Sequence, residues 1–235
     1  MFEQFFTSFR LPLELVYTCV VVLCAIAIVF LTKEAHQLTN HSGIGMFRYA
    51  FLLFSLAFVI RFTLLFWLFD NGISYASIAG YQFMLLFVME FLFIMGGILF
   101  VISITCRTKY PVLHRMAYLV AGLIALTGAM IDVVGIPLLA MYIILFITFL
   151  IGFISHIYGA VKTKGRAKRF HYLHAGALGF ALSAWVINGL TQPFIIEHPA
   201  LLIIIYTATS SFFILVLIGI RYALCSKNVI NQLRT

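Results

Sequence analysis

The chain has 235 residues, of which 64% are hydrophobic and only 9% are Asp, Glu, Lys or Arg. A soluble domain carries about 25% charged residues, so the composition excludes an ordinary soluble protein and indicates a membrane protein. The formal net charge of +8 does not indicate nucleic-acid binding, because the sequence has no aromatic-interleaved basic stretch and no glycine-rich phosphate loop.

Long apolar segments predict an all-α, seven-helix transmembrane bundle that occupies residues 1–235 as a single domain. The predicted helices cover residues 13–31, 47–69, 81–106, 117–138, 141–161, 172–192 and 200–222. Pro12 suits the first turn of the first helix. Gly135-Ile136-Pro137 marks the joint between the fourth and fifth helices, since residues 117–161 are too long for one span.

The segments outside these helices are expected to lie at the membrane surfaces. The amino terminus lacks the charged start and small-residue cleavage site of a signal peptide, so the first helix is expected to be a retained anchor. Met1 to Arg10 is expected to lie along the interface, and the polar residues 32–45 and 162–171 are expected to connect helices.

The distribution of Lys and Arg predicts an orientation. All but two of the 15 basic residues fall on one side of the predicted bundle, the exceptions being Arg10 and the intramembrane Arg61. By the positive-inside rule, the amino terminus is expected outside and the carboxyl terminus in the cytoplasm, with the chain as a multi-pass protein of the plasma membrane. The basic residues on the predicted inner side are Lys33, Arg48, Arg107, Lys109, Arg115, Lys162, Lys164, Arg166, Lys168, Arg169, Arg221, Lys227 and Arg234.

Charged residues inside the predicted spans are candidates for a functional site. An arginine in hydrocarbon costs at least ~3 kcal/mol, so Arg61 needs a partner or a wet cavity. At ~1.5 Å per residue, Arg61 and Glu90 both lie ~12–14 Å below the outer surface, and they are expected to pair. Asp132 lies near the outer end of the fourth helix, so one of the two acids would be left over.

Neutral polar residues show the same bias towards the outer half. Trp185, Asn188 and Gln192 share one face of the sixth helix at i, i+3 and i+7. Thr207 and Ser210 share a face of the seventh. The predicted ligand-binding set is therefore Arg61, Glu90, Asp132, Trp185, Asn188, Gln192, Thr207 and Ser210, around a polar pocket open to the outside. The alternative is that these residues only hold the helices in register.

The histidines and cysteines do not predict a cofactor. His156, His171 and His174 lie at the predicted cytoplasmic boundary, where zinc or haem binding is an open alternative to plain interfacial histidines. The spacing matches no ligand motif, so no metal and no cofactor are predicted. Cys19, Cys24 and the two later cysteines form no metal-type motif. No catalytic set is visible, so an enzyme is not expected.

Three functions fit these features. The preferred one is a binding or sensing module, with a small ligand or a proton acting at the outer pocket and a cytoplasmic or membrane protein partner docking on the basic inner loops. The first alternative is a small or proton-coupled transporter using Glu90 or Asp132. The second is a structural subunit of a membrane complex. The lipid bilayer is a further expected partner, and nucleic acid is not expected.

The stretch KEAHQLTNHSGIGMFRYAFLLFSLAFVIRF, Lys33 to Phe62, resembles uncharacterised archaeal seven-helix membrane proteins. These proteins join a short polar loop to a Phe-rich second helix that bears an arginine, and they are similar to the membrane sensor halves of some histidine kinases, without the kinase. The resemblance implies an archaeal plasma membrane and brings no established activity.

Overall fold

The computed structural model describes residues 2–39, 42–71, 81–105, 111–134, 138–191 and 199–224. Within these ranges the chain forms seven α-helices. They are α1 (Phe2–Thr39), α2 (Ser42–Asn71), α3 (Tyr81–Thr105), α4 (Pro111–Val134), α5 (Leu139–Lys162), α6 (Gly165–Thr191) and α7 (Pro199–Leu224).

The predicted all-helical membrane architecture is confirmed. Over the described residues, six helices are long and apolar enough to cross a bilayer, namely α1 to α5 and α7. Helix α6 has 27 residues, enough to span the hydrocarbon by length. It is not among the six, and its first turns carry Lys168, Arg169 and two histidines.

Several helices extend beyond the segments that apolar composition predicts. α1 begins at Phe2, so Pro12 lies inside it rather than at its first turn. The predicted connection at residues 32–45 is largely helical, because α1 continues to Thr39 and α2 begins at Ser42. Hydropathy measures only the part of a helix that suits hydrocarbon, and backbone hydrogen bonding continues into polar flanks. The joint at Gly135-Ile136-Pro137 lies outside the described residues, between the ends of α4 and α5.

The helices pack mainly on their sequence neighbours, and α1 also packs against α7, which closes the bundle. Helix α3 contacts α2, α4 and α5. Its Ile94, Leu99 and Phe100 are fully buried. Helix α4 lies at the periphery and exposes Leu119, Leu123 and Ile131, as expected for side chains facing lipid.

The two ends of the bundle differ in chemistry. We call the end where α2, α4 and α6 finish and α3, α5 and α7 begin the cavity end. We call the opposite end the basic end, because helix termini there carry Lys162 on α5, Lys168 on α6 and Arg221 on α7.

A cluster of phenylalanines fills the centre of the bundle between these ends. Phe51 of α2 packs edge-on against Phe100 of α3 and Phe213 of α7, each with ring centroids 5.7 Å apart. Phe58 of α2 packs edge-on against Phe93 of α3 at 5.0 Å. Edge-to-face pairs contribute about 0.5–1.5 kcal/mol each beyond area burial. The cluster separates the polar groups of the two ends.

Candidate functional site

Arg61 is bound by Glu14 of α1, and the predicted pairing with Glu90 is wrong. The guanidinium donates two hydrogen bonds to the Glu14 carboxylate, at 2.8 Å from Nη1 and 2.9 Å from Nη2. The Glu14 side chain is 0% exposed and that of Arg61 is 24% exposed. Glu14 lies at the edge of the first apolar segment, where hydropathy does not mark it as an intramembrane charge. With α1 beginning at Phe2, it lies about three turns inside a helix.

Two tyrosine rings complete the surroundings of Arg61. Tyr17 lies three residues after Glu14 on α1 and stacks on Tyr206 of α7, with centroids 4.3 Å apart and planes inclined by 7°. The Arg61 Cζ atom lies 5.4 Å from the Tyr17 centroid and 5.7 Å from that of Tyr206. At these distances the ring quadrupoles attract the cation. The charge of Arg61 is thus compensated by one carboxylate and two rings.

A partly open cavity of about 220 Å³ lies beside this group at the cavity end. Its polar lining comes from five helices, and Trp185 with several apolar side chains forms the remaining walls. The polar lining residues are Tyr17, Arg61, Tyr142, Asn188, Tyr206 and Thr209. The cavity therefore combines aromatic faces with a few hydrogen-bonding groups, which is typical of small-molecule sites.

The α5–α6 wall of the cavity is fixed by side-chain contacts. Asn188 Nδ2 donates a hydrogen bond of 2.7 Å to the Tyr142 hydroxyl. The Tyr142 ring meets Trp185 edge-on at 5.2 Å, and Trp185 also packs edge-on against Phe93 at 5.9 Å. Trp185 and Asn188 share one face of α6, as their spacing predicts, and this face points into the cavity.

The α7 wall of the cavity contains a hydroxyl group without a hydrogen-bond partner among the described residues. The Tyr206 side chain is buried, and its hydroxyl has no hydrogen-bond partner among the residues that the structure describes. The neighbouring Thr209 hydroxyl donates to the Ile205 carbonyl at 2.9 Å. A buried hydroxyl without a partner loses its hydration and gains nothing in return, at a cost of about 1–3 kcal/mol. In a cavity wall, a ligand can supply the missing bond.

The predicted residues of α7 do not line the cavity, although another face of α7 does. Leu202, Ile205, Tyr206 and Thr209 line the cavity at i, i+3, i+4 and i+7, which is one face of α7. Thr207 is exposed on another face, and Ser210 is half-buried; neither lines the cavity. Gln192 lies outside the described residues. The hydroxyl spacing of Thr207 and Ser210 therefore does not identify the cavity-lining face of α7, on which the buried Tyr206 lies.

Asp132 caps a helix rather than lining the cavity. Its Oδ1 accepts a hydrogen bond of 2.6 Å from the Ala140 N–H, and its Oδ2 accepts one of 2.8 Å from the Met141 N–H. These are free N–H groups of the first turn of α5, and a carboxylate stabilises such a positive helix end. Leu138, which precedes α5, has φ 69° and offers no side-chain cap of its own.

Glu90 lies in the same region and is not a cavity-lining residue. Its side chain is 0% exposed, and neither carboxyl oxygen has a hydrogen-bond partner in the described part of the chain. The structure therefore brings Arg61, Trp185 and Asn188 of the predicted set to one cavity, and places Glu90 and Asp132 behind its α5 wall.

The histidines meet at the basic end. His156 Nδ1 of α5 lies 3.0 Å from His171 Nδ1 of α6, and the His156 ring stacks on that of His174 at 5.2 Å. His156 is 4% and His174 1% exposed, so these two are core residues rather than interfacial ones. Gly159 leaves space for the His171 ring and Gly219 for the His174 ring, since a Cβ at these positions would lie 2.7 Å from His171 and 2.8 Å from His174. Among the described residues, no group of three or more His, Cys, Asp or Glu is arranged to hold a metal ion.

Comparison with known proteins adds no further assignment, because no protein-family model, curated protein or solved structure matches this chain.

Proposed function

We propose that this chain is a seven-helix membrane binding or sensing module that takes a small uncharged ligand into the cavity and docks a partner protein on its basic end. In this proposal α6 is the seventh span, the amino terminus is outside and the carboxyl terminus is cytoplasmic, in the plasma membrane. The archaeal family suggested by residues 33–62 stays a prediction.

The unsatisfied Tyr206 hydroxyl in the cavity wall is the observation that carries this proposal. A side chain that only locked helices together would be hydrogen-bonded to a neighbouring helix, as Asn188 is to Tyr142. A hydroxyl left unsatisfied on a residue that lines a cavity is instead available to a ligand that enters the cavity.

Size and charge define the ligand class. A cavity of 150 Å³ suffices for benzene, so about 220 Å³ suits a molecule with a single ring. The one cation among the described lining residues, Arg61, already binds Glu14 through two hydrogen bonds. An anion would compete with Glu14 and a cation would face Arg61, so a neutral ring with one hydroxyl or carbonyl fits best.

Binding can be tested with p-cresol, toluene and p-toluate, which differ in the polar group on one ring. The chain has two tryptophans, so Trp67→Phe leaves Trp185 as the only fluorescent reporter, excited where phenols do not absorb. We expect a saturable change in Trp185 emission with p-cresol, a weaker one with toluene and none with p-toluate. Equal responses to all three would show partitioning into the detergent or lipid and would contradict the proposal.

A matched pair of variants sharpens this test. Tyr206→Phe removes only the unsatisfied hydroxyl, so it should raise stability by up to about 1–3 kcal/mol but weaken p-cresol binding by about 0.5–1.5 kcal/mol. Toluene binding should not change. Tyr49→Phe, at a tyrosine that is 57% exposed on α2, is the control and should alter neither. Loss of stability without loss of the cresol preference would mark Tyr206 as a packing residue.

The phenylalanine cluster favours a binding module over a transporter. Along α7 the chain passes from Thr209 in the cavity, through Phe212 and Phe213, to Gly219 beside His174. Both phenylalanines are buried and pack against rings of α2. A transporter needs a polar route through this layer, and the described residues offer aromatic side chains there instead.

The proposed orientation has its own test. A cysteine introduced between residues 70 and 80 should react with a membrane-impermeant maleimide added to intact cells, and one between residues 162 and 168 should react only after lysis. The four native cysteines are first replaced by serine or alanine. The reverse labelling pattern would place the cavity on the cytoplasmic side.

A further inference from the structure

Glu90 is a buried acid that does not line the proposed ligand site. Its neighbours one turn away on α3, Leu86, Phe93 and Ile94, are all buried hydrophobic residues. Its carboxyl oxygens have no hydrogen-bond partner in the described part of the chain. A carboxylate in such surroundings costs far more than the neutral acid, so the surroundings favour the protonated form.

Among the described residues, the groups on the helices packed on α3 do not supply Glu90 with a counter-charge. From α2, the cation in this half is Arg61, which is held by Glu14. From α4, Asp132 lies close enough to act on Glu90 electrostatically, and it carries the same sign of charge when ionised. The titratable residue in the first turn of α5 is Tyr142, whose hydroxyl accepts a hydrogen bond from Asn188.

The two neighbouring acids have different surroundings. Both Asp132 oxygens accept hydrogen bonds from N–H groups at the start of α5, and these bonds stabilise the ionised form. Neither Glu90 oxygen makes a comparable hydrogen bond with a described residue, and the nearby backbone donor is the single N–H of Leu138. When two nearby acids differ in this way, the acid that accepts more hydrogen bonds ionises first, and the other keeps its proton to higher pH.

The same region forms a wall of the cavity. Leu138, Met141 and Tyr142 line it. Leu138 directly precedes α5 and the other two lie in its first turn, which accepts its cap from Asp132. Leu138 has φ 69°, a left-handed conformation that a bulky residue rarely adopts. A second negative charge beside Asp132 would repel it and favour water entry, and this wall would move.

We propose that Glu90 is a proton-binding site whose occupancy is transmitted through the first turn of α5 to the cavity wall. The step is a simple ionisation, in which the carboxylic acid becomes a carboxylate and its proton goes to water. Binding of the proton holds the α5 wall in the observed position, and release of the proton loosens it. The inference depends on Glu90, Asp132 and the start of α5, and it does not require that the cavity binds a ligand.

Infrared spectroscopy of the purified full chain tests the protonation state without requiring access to the site. A neutral carboxylic acid shows a carbonyl band that carboxylates lack. We expect this band near neutral pH, its loss as the pH is raised, and its absence in Glu90→Gln. Glu34→Gln, at an exposed glutamate near the end of α1, is the matched control and should keep the band. A band that Glu90→Gln leaves unchanged would overturn the proposal.

Two further readouts decide how the proton acts. In the Trp67→Phe background, Trp185 emission should change over the same pH range as the acid band, and this change should be absent in Glu90→Gln. Asp132→Asn removes the neighbouring charge, so the band should disappear at lower pH. An unaltered pH response of Trp185 in Glu90→Gln would refute the link to the cavity. A shift of the transition when sodium replaces choline would identify a metal-cation site instead.

Discussion

Glu14 and Glu90 are two glutamates at the cavity end, both with fully buried side chains, and the protein treats them in opposite ways. Glu14 lies between α1 and α2 and binds Arg61 through two charge-assisted hydrogen bonds. Glu90 lies on α3 near α4 and α5, and its charged neighbour among the described residues is an acid, Asp132, and not a base. The comparison shows that burial does not determine whether a carboxyl is charged. The donors within reach determine it.

The difference separates a structural pair from a group that can change state. Arg61 and Glu14 compensate each other, and removal of either leaves a charge in low dielectric. If Glu90 is a neutral acid, its replacement leaves no buried charge without a partner. Substitutions at the two places should therefore differ widely in their effect on stability, and the following predictions run from the largest effect to the smallest.

Arg61→Ala should be the most damaging change, because it leaves the Glu14 carboxylate buried without a partner. We expect a loss of about 3–5 kcal/mol in the free energy of unfolding, measured by denaturation in detergent micelles. Arg61→Gln combined with Glu14→Gln should recover much of this loss. Additive effects in that double-mutant cycle would show that the two side chains do not interact in solution.

Asp132→Ala should have the next largest effect, since it removes the acceptor for two N–H groups of α5. An N-cap of this kind contributes about 0.5–2 kcal/mol, and the charged acceptor places the expected loss near the top of that range. Asp132→Asn keeps one acceptor oxygen and should cost less. If the two substitutions destabilise equally, the hydrogen bonds to Ala140 and Met141 do not stabilise α5.

Asn188→Leu should cost about 1–2 kcal/mol, because it removes the hydrogen bond to the Tyr142 hydroxyl within the cavity wall. The double variant with Tyr142→Phe removes both polar partners and should be less destabilised than the sum of the single changes. Thermal unfolding of the four proteins measures the coupling. An additive result would show that the Asn188–Tyr142 hydrogen bond does not contribute to stability.

Glu90→Gln should have the smallest effect, within about 1 kcal/mol, because the amide has nearly the shape of the neutral acid. The measurement is made near neutral pH, with Glu34→Gln as the control. A loss as large as that of Arg61→Ala would mean that Glu90 is ionised and paired, and the contrast with Glu14 would disappear.

Sequence reasoning identified part of the site because some of its signals are local. Trp185 and Asn188 lie three residues apart in an apolar helix, so they must share a face. Arg61 lies deep in a segment long enough to cross the hydrocarbon, so it must be compensated. Both inferences depend on helix geometry and the cost of charge, which do not change with the tertiary fold.

The choice of partner could not be predicted in the same way. Depth along the membrane allowed Arg61 to meet either Glu14 or Glu90, since both acids lie in the same half of the bundle. Only the packing of α1 beside α2 and the closure of α1 on α7 bring Glu14, Tyr17 and Tyr206 around the guanidinium. The lateral arrangement of helices is set by side-chain packing between distant segments, which a linear pattern does not record.

The sequence by itself therefore determined the class of the protein, its apolar helices and the need to compensate Arg61, because hydropathy and helical periodicity are properties of short segments. The tertiary structure alone decided which acid binds Arg61, which face of α7 lines the cavity, and that His156, His171 and His174 meet at the basic end. Each of these depends on which helices are neighbours and how each is rotated about its axis, and free energies of packing over the whole bundle set both.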